Sequence, residues 1–307
     1  MSRKSILTSG TEWINNPLGL FRQVVWVRCT RMWNVFVYTS LYITSIAVVE
    51  TWLAIRLLGF EANVALVIIG LVTYSVYMND RIADVETDSA SNPMQAEFIR
   101  RHRTPLFVVA TGAYGLAVML AVVSGPTALL LTLLPGVFWV FYALDYFDFV
   151  SHGLDRLKEG IVVNTIVVAT AWAVTVTFLP VIVESNSLPL HVWPVLAYFF
   201  LRDFVHTEVP NVPDRFSDAQ IGVSTIPSQY GLVTTRRVLY GINILTLVLV
   251  AVIINEVVDS QTVLLVLIAG LCYSCCAVGL IGRWSREDLL GRVTHIEYVL
   301  VFVAISI

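Results

Sequence analysis

Apolar stretches long enough to cross a bilayer recur along this chain from the thirties to the C-terminus, and they decide what it can fold into. A helix needs roughly 20 apolar residues to span the hydrocarbon core. Read with that window, the sequence predicts nine spans: 33–56, 62–79, 105–124, 127–147, 160–182, 191–205, 238–256, 262–282 and 293–307. Composition agrees. The 307 residues are 57% hydrophobic and 13% charged, with mean hydropathy +0.78, whereas a soluble domain carries about a quarter charged residues. The expectation is an all-α integral membrane protein. Residues 1–32 form an N-terminal cytoplasmic or interfacial segment, and 33–307 form one transmembrane domain.

Met1 to Asn16 is polar and lacks the apolar core of a cleavable signal peptide, so insertion should rely on the first transmembrane helix. Thr11 to Met32 mixes apolar residues with Arg and Trp, as an interfacial amphipathic helix would. The basic residues are one-sided. Arg3, Lys4, Arg22, Arg28 and Arg31 precede the first span, and Arg81, Arg100, Arg101 and Arg103 follow the second. Arg156 and Lys158 follow the fourth, Arg202, Arg215, Arg236 and Arg237 surround the gap after the sixth, and Arg283, Arg286 and Arg292 follow the eighth. Arg56 alone falls on the opposite side. The positive-inside rule then places the N-terminus in the cytoplasm and the C-terminus outside, which fits an odd number of spans in the cell membrane.

Against this background two acidic clusters stand out. One reads Asp80-Arg81-Ile82-Ala83-Asp84-Val85-Glu86-Thr87-Asp88, the other Asn211-Val212-Pro213-Asp214-Arg215-Phe216-Ser217-Asp218. Acids beside an apolar span are costly and mark a functional site by default. Asp80, Asp84 and Asp88 recur every fourth residue, which on a helix continuing from the second span stacks them along one face. Asp214 and Asp218 repeat that spacing, with Asn211 near one turn earlier. Like charges so arranged repel unless a cation intervenes, and a hard divalent ion with oxygen ligands is the apt one. Arg81, Arg100, Arg101, Arg103, Arg215 and Lys158 on the same side suit phosphate oxygens. Acids for metal and bases for phosphate beside an apolar bundle suggest a diphosphate with a greasy tail. Nothing in the pattern points to nucleic acid.

Cys29 lies apart, while Cys272, Cys275 and Cys276 lie inside one apolar segment and read as packing residues rather than metal or redox groups. His102, His152, His191 and His295 read as ordinary interfacial positions. His206, Asp203 and Glu208, just before the second cluster, read either as a hydrogen-bonded helix end or as groups that orient its ligands or deprotonate an acceptor.

The second cluster leads into Gly222-Val223-Ser224-Thr225-Ile226-Pro227 and a later Gly231; Arg156-Leu157-Lys158 precedes the fifth span, with Asn164 and Trp172 beyond. In this order the motifs resemble the UbiA superfamily of intramembrane prenyltransferases over essentially the whole chain. That pattern has an Asn-Asp-x-x-Asp-x-x-x-Asp motif after the second helix and an Asp-x-x-Asp-x-x-x-Asp motif followed by Gly-x-x-Thr-Leu-Pro after the sixth. The chain departs from it in Arg81, where a base replaces an acid, in Asn211, which replaces the first acid of the second motif, and in Leu154, where a Tyr is common.

The resemblance implies helices around a central cavity and Mg²⁺-dependent transfer of a prenyl group from an isoprenoid diphosphate to a lipophilic acceptor within the bilayer. It implies metal ligands at Asp80, Asp84, Asp88, Asn211, Asp214 and Asp218, and catalytic roles for Asp84, Asp218 and Lys158. The diphosphate would be bound by Arg81, Arg101, Arg103, Lys158 and Asn164. Tyr142, Tyr146, Trp172 or Phe200 could face an allylic cation. Three other outcomes share parts of this pattern: an intramembrane terpene cyclase without a separate acceptor, a transporter, and a catalytically silent paralogue.

Overall fold

The computed structural model describes residues 17–86, 89, 92–143, 163–185, 187–221, 224–256 and 261–306. The regular structure among these residues is entirely helical, with no strand among them. The chain opens with α1 (Pro17–Tyr38), α2 (Leu41–Leu57) and α3 (Ala65–Ala83). A short α4 (Pro93–Arg101) leads to α5 (Arg103–Ser124), α6 (Pro126–Ala143), α7 (Val163–Glu184) and α8 (Val192–Glu208). After the short polar α9 (Asn211–Ile221) come α10 (Ile226–Glu256), α11 (Gln261–Gly279) and α12 (Leu290–Ser306).

In their described residues eight of the nine predicted spans each overlap one of these helices, whereas the first, 33–56, crosses the bend between α1 and α2. Among the described residues five helices are long and apolar enough to cross a membrane alone, and a sixth crossing arises if the bent α1–α2 pair is one span. The remaining helices are shorter or more polar, and several of them carry the site. α8, for example, contains Arg202, Asp203, His206 and Glu208 in its last two turns. In apolar surroundings, helices satisfy every backbone group internally, which is why no other element competes.

The helices pack as a closed ring of neighbours: α2 on α3, α3 on α5, then α6, α7, α8, α10, α11 and α12, with α12 returning to α2. Small residues let them approach closely. Gly270 on α11 shows why, since a Cβ there would stand 2.8 Å from Val301 Cγ2 on α12.

Two local devices shape the ends that matter. First, the axis turns by 68° between Trp26–Tyr38 and α2, at Ser40, whose φ of 60° is a rare conformation for a residue other than glycine. Arg81, at the end of α3, donates from Nη1 to the carbonyls of Val37 (2.6 Å) and Tyr38 (3.3 Å), closing the C-terminus of α1. Second, α10 is broken at Gly231, with φ 73° and ψ 171°, backbone angles that glycine adopts without strain. This separates a short helix carrying the Thr-Ile-Pro motif from the long apolar span.

Candidate functional site

The structure brings the two acidic clusters to one end of the bundle, because α3 ends at the first and α8 ends just before the second. Asp80 and Asn211 line the same cavity, about 380 Å³ in volume, together with Tyr77, Trp172 and groups from α2, α8 and α12. Asp80 Oδ1 accepts a hydrogen bond from Trp139 Nε1 at 3.0 Å. Tyr77 and Trp172 stack, with ring centroids 5.8 Å apart and planes 18° from parallel.

The first cluster departs from the predicted continuous helix. α3 stops at Ala83, and Asp84 is its C-cap, with its N–H donating to Asp80 O at 2.9 Å. Asp80 and Asp84 therefore remain one turn apart at a helix end. Asp88 lies outside the described residues. Asp84 is exposed on the rim, where neighbouring protein still desolvates its carboxyl enough to raise it above the usual range.

The second cluster sits on its own helix and is tied down from several sides. Glu208, fully buried at the end of α8, accepts from Ile226 N–H at 2.5 Å, from Thr165 Oγ1 at 2.5 Å and from Asn211 Nδ2 at 3.4 Å. Its carboxylate thus joins α7, α9 and the first residue of α10. Thr225 caps α10 reciprocally with Ser228: Ser228 N–H donates to Thr225 Oγ1 (3.3 Å) and Thr225 N–H to Ser228 Oγ (2.9 Å). Pro227 follows in the first turn, where its missing N–H costs nothing. Arg215 donates to Glu287 Oε2 at 2.6 Å and to the Val212 carbonyl at 2.6 Å, pinning α9 to the turn before α12.

On this fixed helix Asp214 and Asp218 repel each other. Asp214 is exposed on the helix, yet neighbouring protein desolvates its carboxyl enough to raise it. Burial, and secondarily the charge of Asp214, push Asp218 up to about 6. Two desolvated carboxyls one turn apart supply hard oxygen donors and excess negative charge, the chemistry that suits a small divalent cation. Among the described residues no three His, Cys, Asp or Glu side chains gather closely enough to hold a metal on their own.

The predicted phosphate ligands fare differently. Arg81 is engaged at the α1–α2 bend. Arg101 pairs with Glu97 at 2.7 Å on the exposed side of α4, and Arg103 is exposed at the start of α5; neither lines the cavity. Lys158 lies outside the described residues, and of Asn164 only the place in α7 is described. Of the candidate aromatics, Trp172 lines the cavity and Phe200 packs in the apolar core; Tyr146 lies outside the described residues, as does the side chain of Tyr142.

Sequence reasoning missed the inner wall of the cavity. Glu50, Thr73 and Tyr77 line it, and so does His295, which is no ordinary interfacial histidine. Behind the wall Arg202, fully buried, donates to Asn243 Oδ1 (2.6 Å), Ser274 Oγ (2.9 Å) and Glu297. His206 Nε2 lies 3.2 Å from Arg202 Nη2 and 3.3 Å from Glu297 Oε2. Glu50 was legible as an acid in the middle of an apolar span. The cysteines of α11 are free, with Cys272 and Cys276 exposed on the bundle's outer surface rather than packed inside.

The profile of the UbiA prenyltransferase family matches residues 29–290. The chain belongs to that family. Together with its apolar helices, membership makes it a multi-pass membrane protein and a prenyltransferase in the general sense. Solved UbiA homologues share the fold. One from Aeropyrum pernix K1, in its apo form, is 13% identical with TM-score 0.61, covering 86% of this chain and 96% of its own. One from Archaeoglobus fulgidus, bound to GPP and Mg²⁺, is 14% identical with TM-score 0.59, covering 88% and 99%. A structure concerned with digeranylgeranylglyceryl phosphate synthase is 13% identical with TM-score 0.56, covering 87% and 95%. At such identities the likeness speaks to the fold. No protein of curated function matches the sequence.

Proposed function

We propose that this UbiA family member transfers a prenyl group from an isoprenoid diphosphate to a lipophilic acceptor, with Mg²⁺ held at the cavity mouth. The observation that carries the reading is the meeting of Asp80 and Asn211, one from each acidic cluster, on one cavity wall. The Archaeoglobus fulgidus homologue bound to GPP and Mg²⁺ supports the choice of donor and ion.

Asp80, Asp84 and Asp88 would hold one ion, and Asn211, Asp214 and Asp218 the other. Mg²⁺ takes only one or two carboxylates when substrate phosphates complete its shell, so paired acids on each side suffice. When bound, the ions would supply Lewis-acid neutralisation of charge on the departing diphosphate. The chain's own residues do the rest. Glu208, the Thr225–Ser228 cap and Arg215 hold α9 so that its acids keep one geometry. Lys158, Arg101 and Arg103, with Asn164, would add fixed polarity for the diphosphate. The Trp172–Tyr77 stack faces the cavity with aromatic surface that can stabilise a developing allylic cation, and the apolar bundle excludes water from it. Arg81 is left out of the diphosphate set, since its guanidinium serves the helix bend.

The mouth would open to the cytoplasm, with the N-terminus inside and the C-terminus outside, following the one-sided arginines. The test is Mg²⁺-dependent release of diphosphate from labelled geranylgeranyl diphosphate in native lipids. Asp84→Ala and Asp218→Ala should each abolish it. Turnover retained in both variants would defeat the assignment of the metal sites, and a cyclised product from donor alone would assign the chain to cyclisation.

A further inference from the structure

The inner end of the cavity differs from its mouth. Asp80 lies at the end of α3, whereas Thr73 lies two turns back, about 10 Å deeper at 1.5 Å per residue. Asp203 lies more than a turn back into α8 from Glu208, and Glu50 comes from the middle of α2. All three line the cavity with His206 and His295. Glu50, Thr73, Asp203 and His206 are at least nine-tenths buried, with Asp203 6% and Thr73 1% exposed.

Four polar atoms on this wall are buried without a hydrogen-bond partner: Thr73 Oγ1, Asp203 Oδ2, His206 Nδ1 and His295 Nδ1. Such atoms are rare in folded proteins, because each forfeits its solvation. Four around one cavity call for a polar group that both donates and accepts. Charge narrows the choice. Two carboxyls face the space, and among the described lining residues there is no Lys or Arg. Arg202, behind the wall, is fully enclosed by Asn243, Ser274, His206 and Glu297. A carboxylate or phosphate there would offer only acceptors and would be stripped of water with no cation facing it, which is costly in an apolar interior. An alcohol donates to the carboxyls and accepts from an imidazole N–H or the Thr73 hydroxyl.

We propose that the inner wall formed by Glu50, Thr73, Asp203, His206 and His295 binds the acceptor, and that the acceptor is an uncharged hydroxylated lipid rather than an acid or a phosphate ester. The assignment deepens the prenyltransferase reading and rests on it for the word acceptor; the binding preference itself does not.

The probes are geranylgeranylglycerol, a neutral diol, and geranylgeranylglyceryl phosphate, which has the same tail. Each is titrated without donor into the full chain in nanodiscs, following tryptophan fluorescence, with Trp172→Phe locating the signal at the cavity. The diol should bind saturably and the phosphate about tenfold more weakly or worse. Asp203→Leu and Glu50→Leu, which take polar groups from the wall, should weaken the diol and bring the two affinities together. Thr73→Val, which keeps the shape and removes one hydroxyl, should weaken the diol severalfold and leave the phosphate alone, and it serves if the acid variants do not fold. Equal or tighter phosphate binding overturns the proposal, as does an unchanged ratio in the folded variants. Saturation by neither probe also overturns it and assigns the wall to water. Diphosphate release from the donor, measured separately on the unaltered chain, tells failure of the transferase reading from failure of this one.

Discussion

The two acidic clusters look alike in sequence and are built differently. The second rides on a separate short helix that Glu208, Arg215 and a reciprocal cap hold in place, so its acids are positioned before any ligand arrives. The first lies where a span runs out: α3 ends between Asp80 and Asp84, and Arg81 between them is drawn away to close α1. One cluster is anchored by the fold around it, and the other helps to anchor the fold. The difference teaches that a motif's spacing fixes neighbours along a helix but not which of them remain free for ligands.

The comparison can be broken most strongly at Glu208. Glu208→Ala strands the buried Ile226 N–H and the Thr165 hydroxyl and releases Asn211. At about 1–3 kcal/mol for each orphaned group, the expected loss is several kcal/mol, read as a large fall in thermal midpoint, with donor affinity falling alongside. A midpoint unchanged in Glu208→Ala would show that the second cluster is not anchored there. Next comes Arg81. Arg81→Ala removes charge-assisted bonds to two carbonyls, worth about 1.5–3 kcal/mol for such a bond, while diphosphate release per folded molecule stays within roughly threefold. A loss on the order of a hundredfold with an unchanged midpoint would instead return Arg81 to the diphosphate.

Smaller still is Gly231→Ala, which forces a side chain into a positive φ and should cost about 1–2 kcal/mol without touching the first cluster. The smallest effect is a pH dependence that is strongest in the second. Asp218 is raised from the ordinary 3.8 to about 6, chiefly by burial. A raised carboxyl favours the fold while protonated and loses that contribution as pH climbs through the folded value. Without Mg²⁺ the thermal midpoint should therefore drop by a few degrees between about pH 4 and 6, and Asp218→Asn should flatten the slope. An identical slope in that variant would locate the titration elsewhere.

Much of this was legible beforehand. The apolar segments announced an all-helical membrane fold, because hydropathy and helix length are local properties. The order of the motifs around Asp214, Thr225, Pro227 and Gly231 announced the family, because caps and breaks are written in single residues. What escaped is what depends on distant helices meeting. Nothing near Arg81 says that its guanidinium ends on Val37 and Tyr38. Glu50, Thr73 and His295 come from three separate helices, and only the closing of the ring makes them neighbours. The regular i, i+4, i+8 spacing also overreached, since it assumed α3 would continue past Ala83.

The ring closure of α12 onto α2 has a consequence for how the protein is made. Glu50 is synthesised well before His295, so the inner wall stays incomplete until α12 is inserted. Nascent chains lacking α12 would expose the α2 face, with its buried acid, to lipid. Quality control during biogenesis would then act on chains in which α12 has not yet docked against α2.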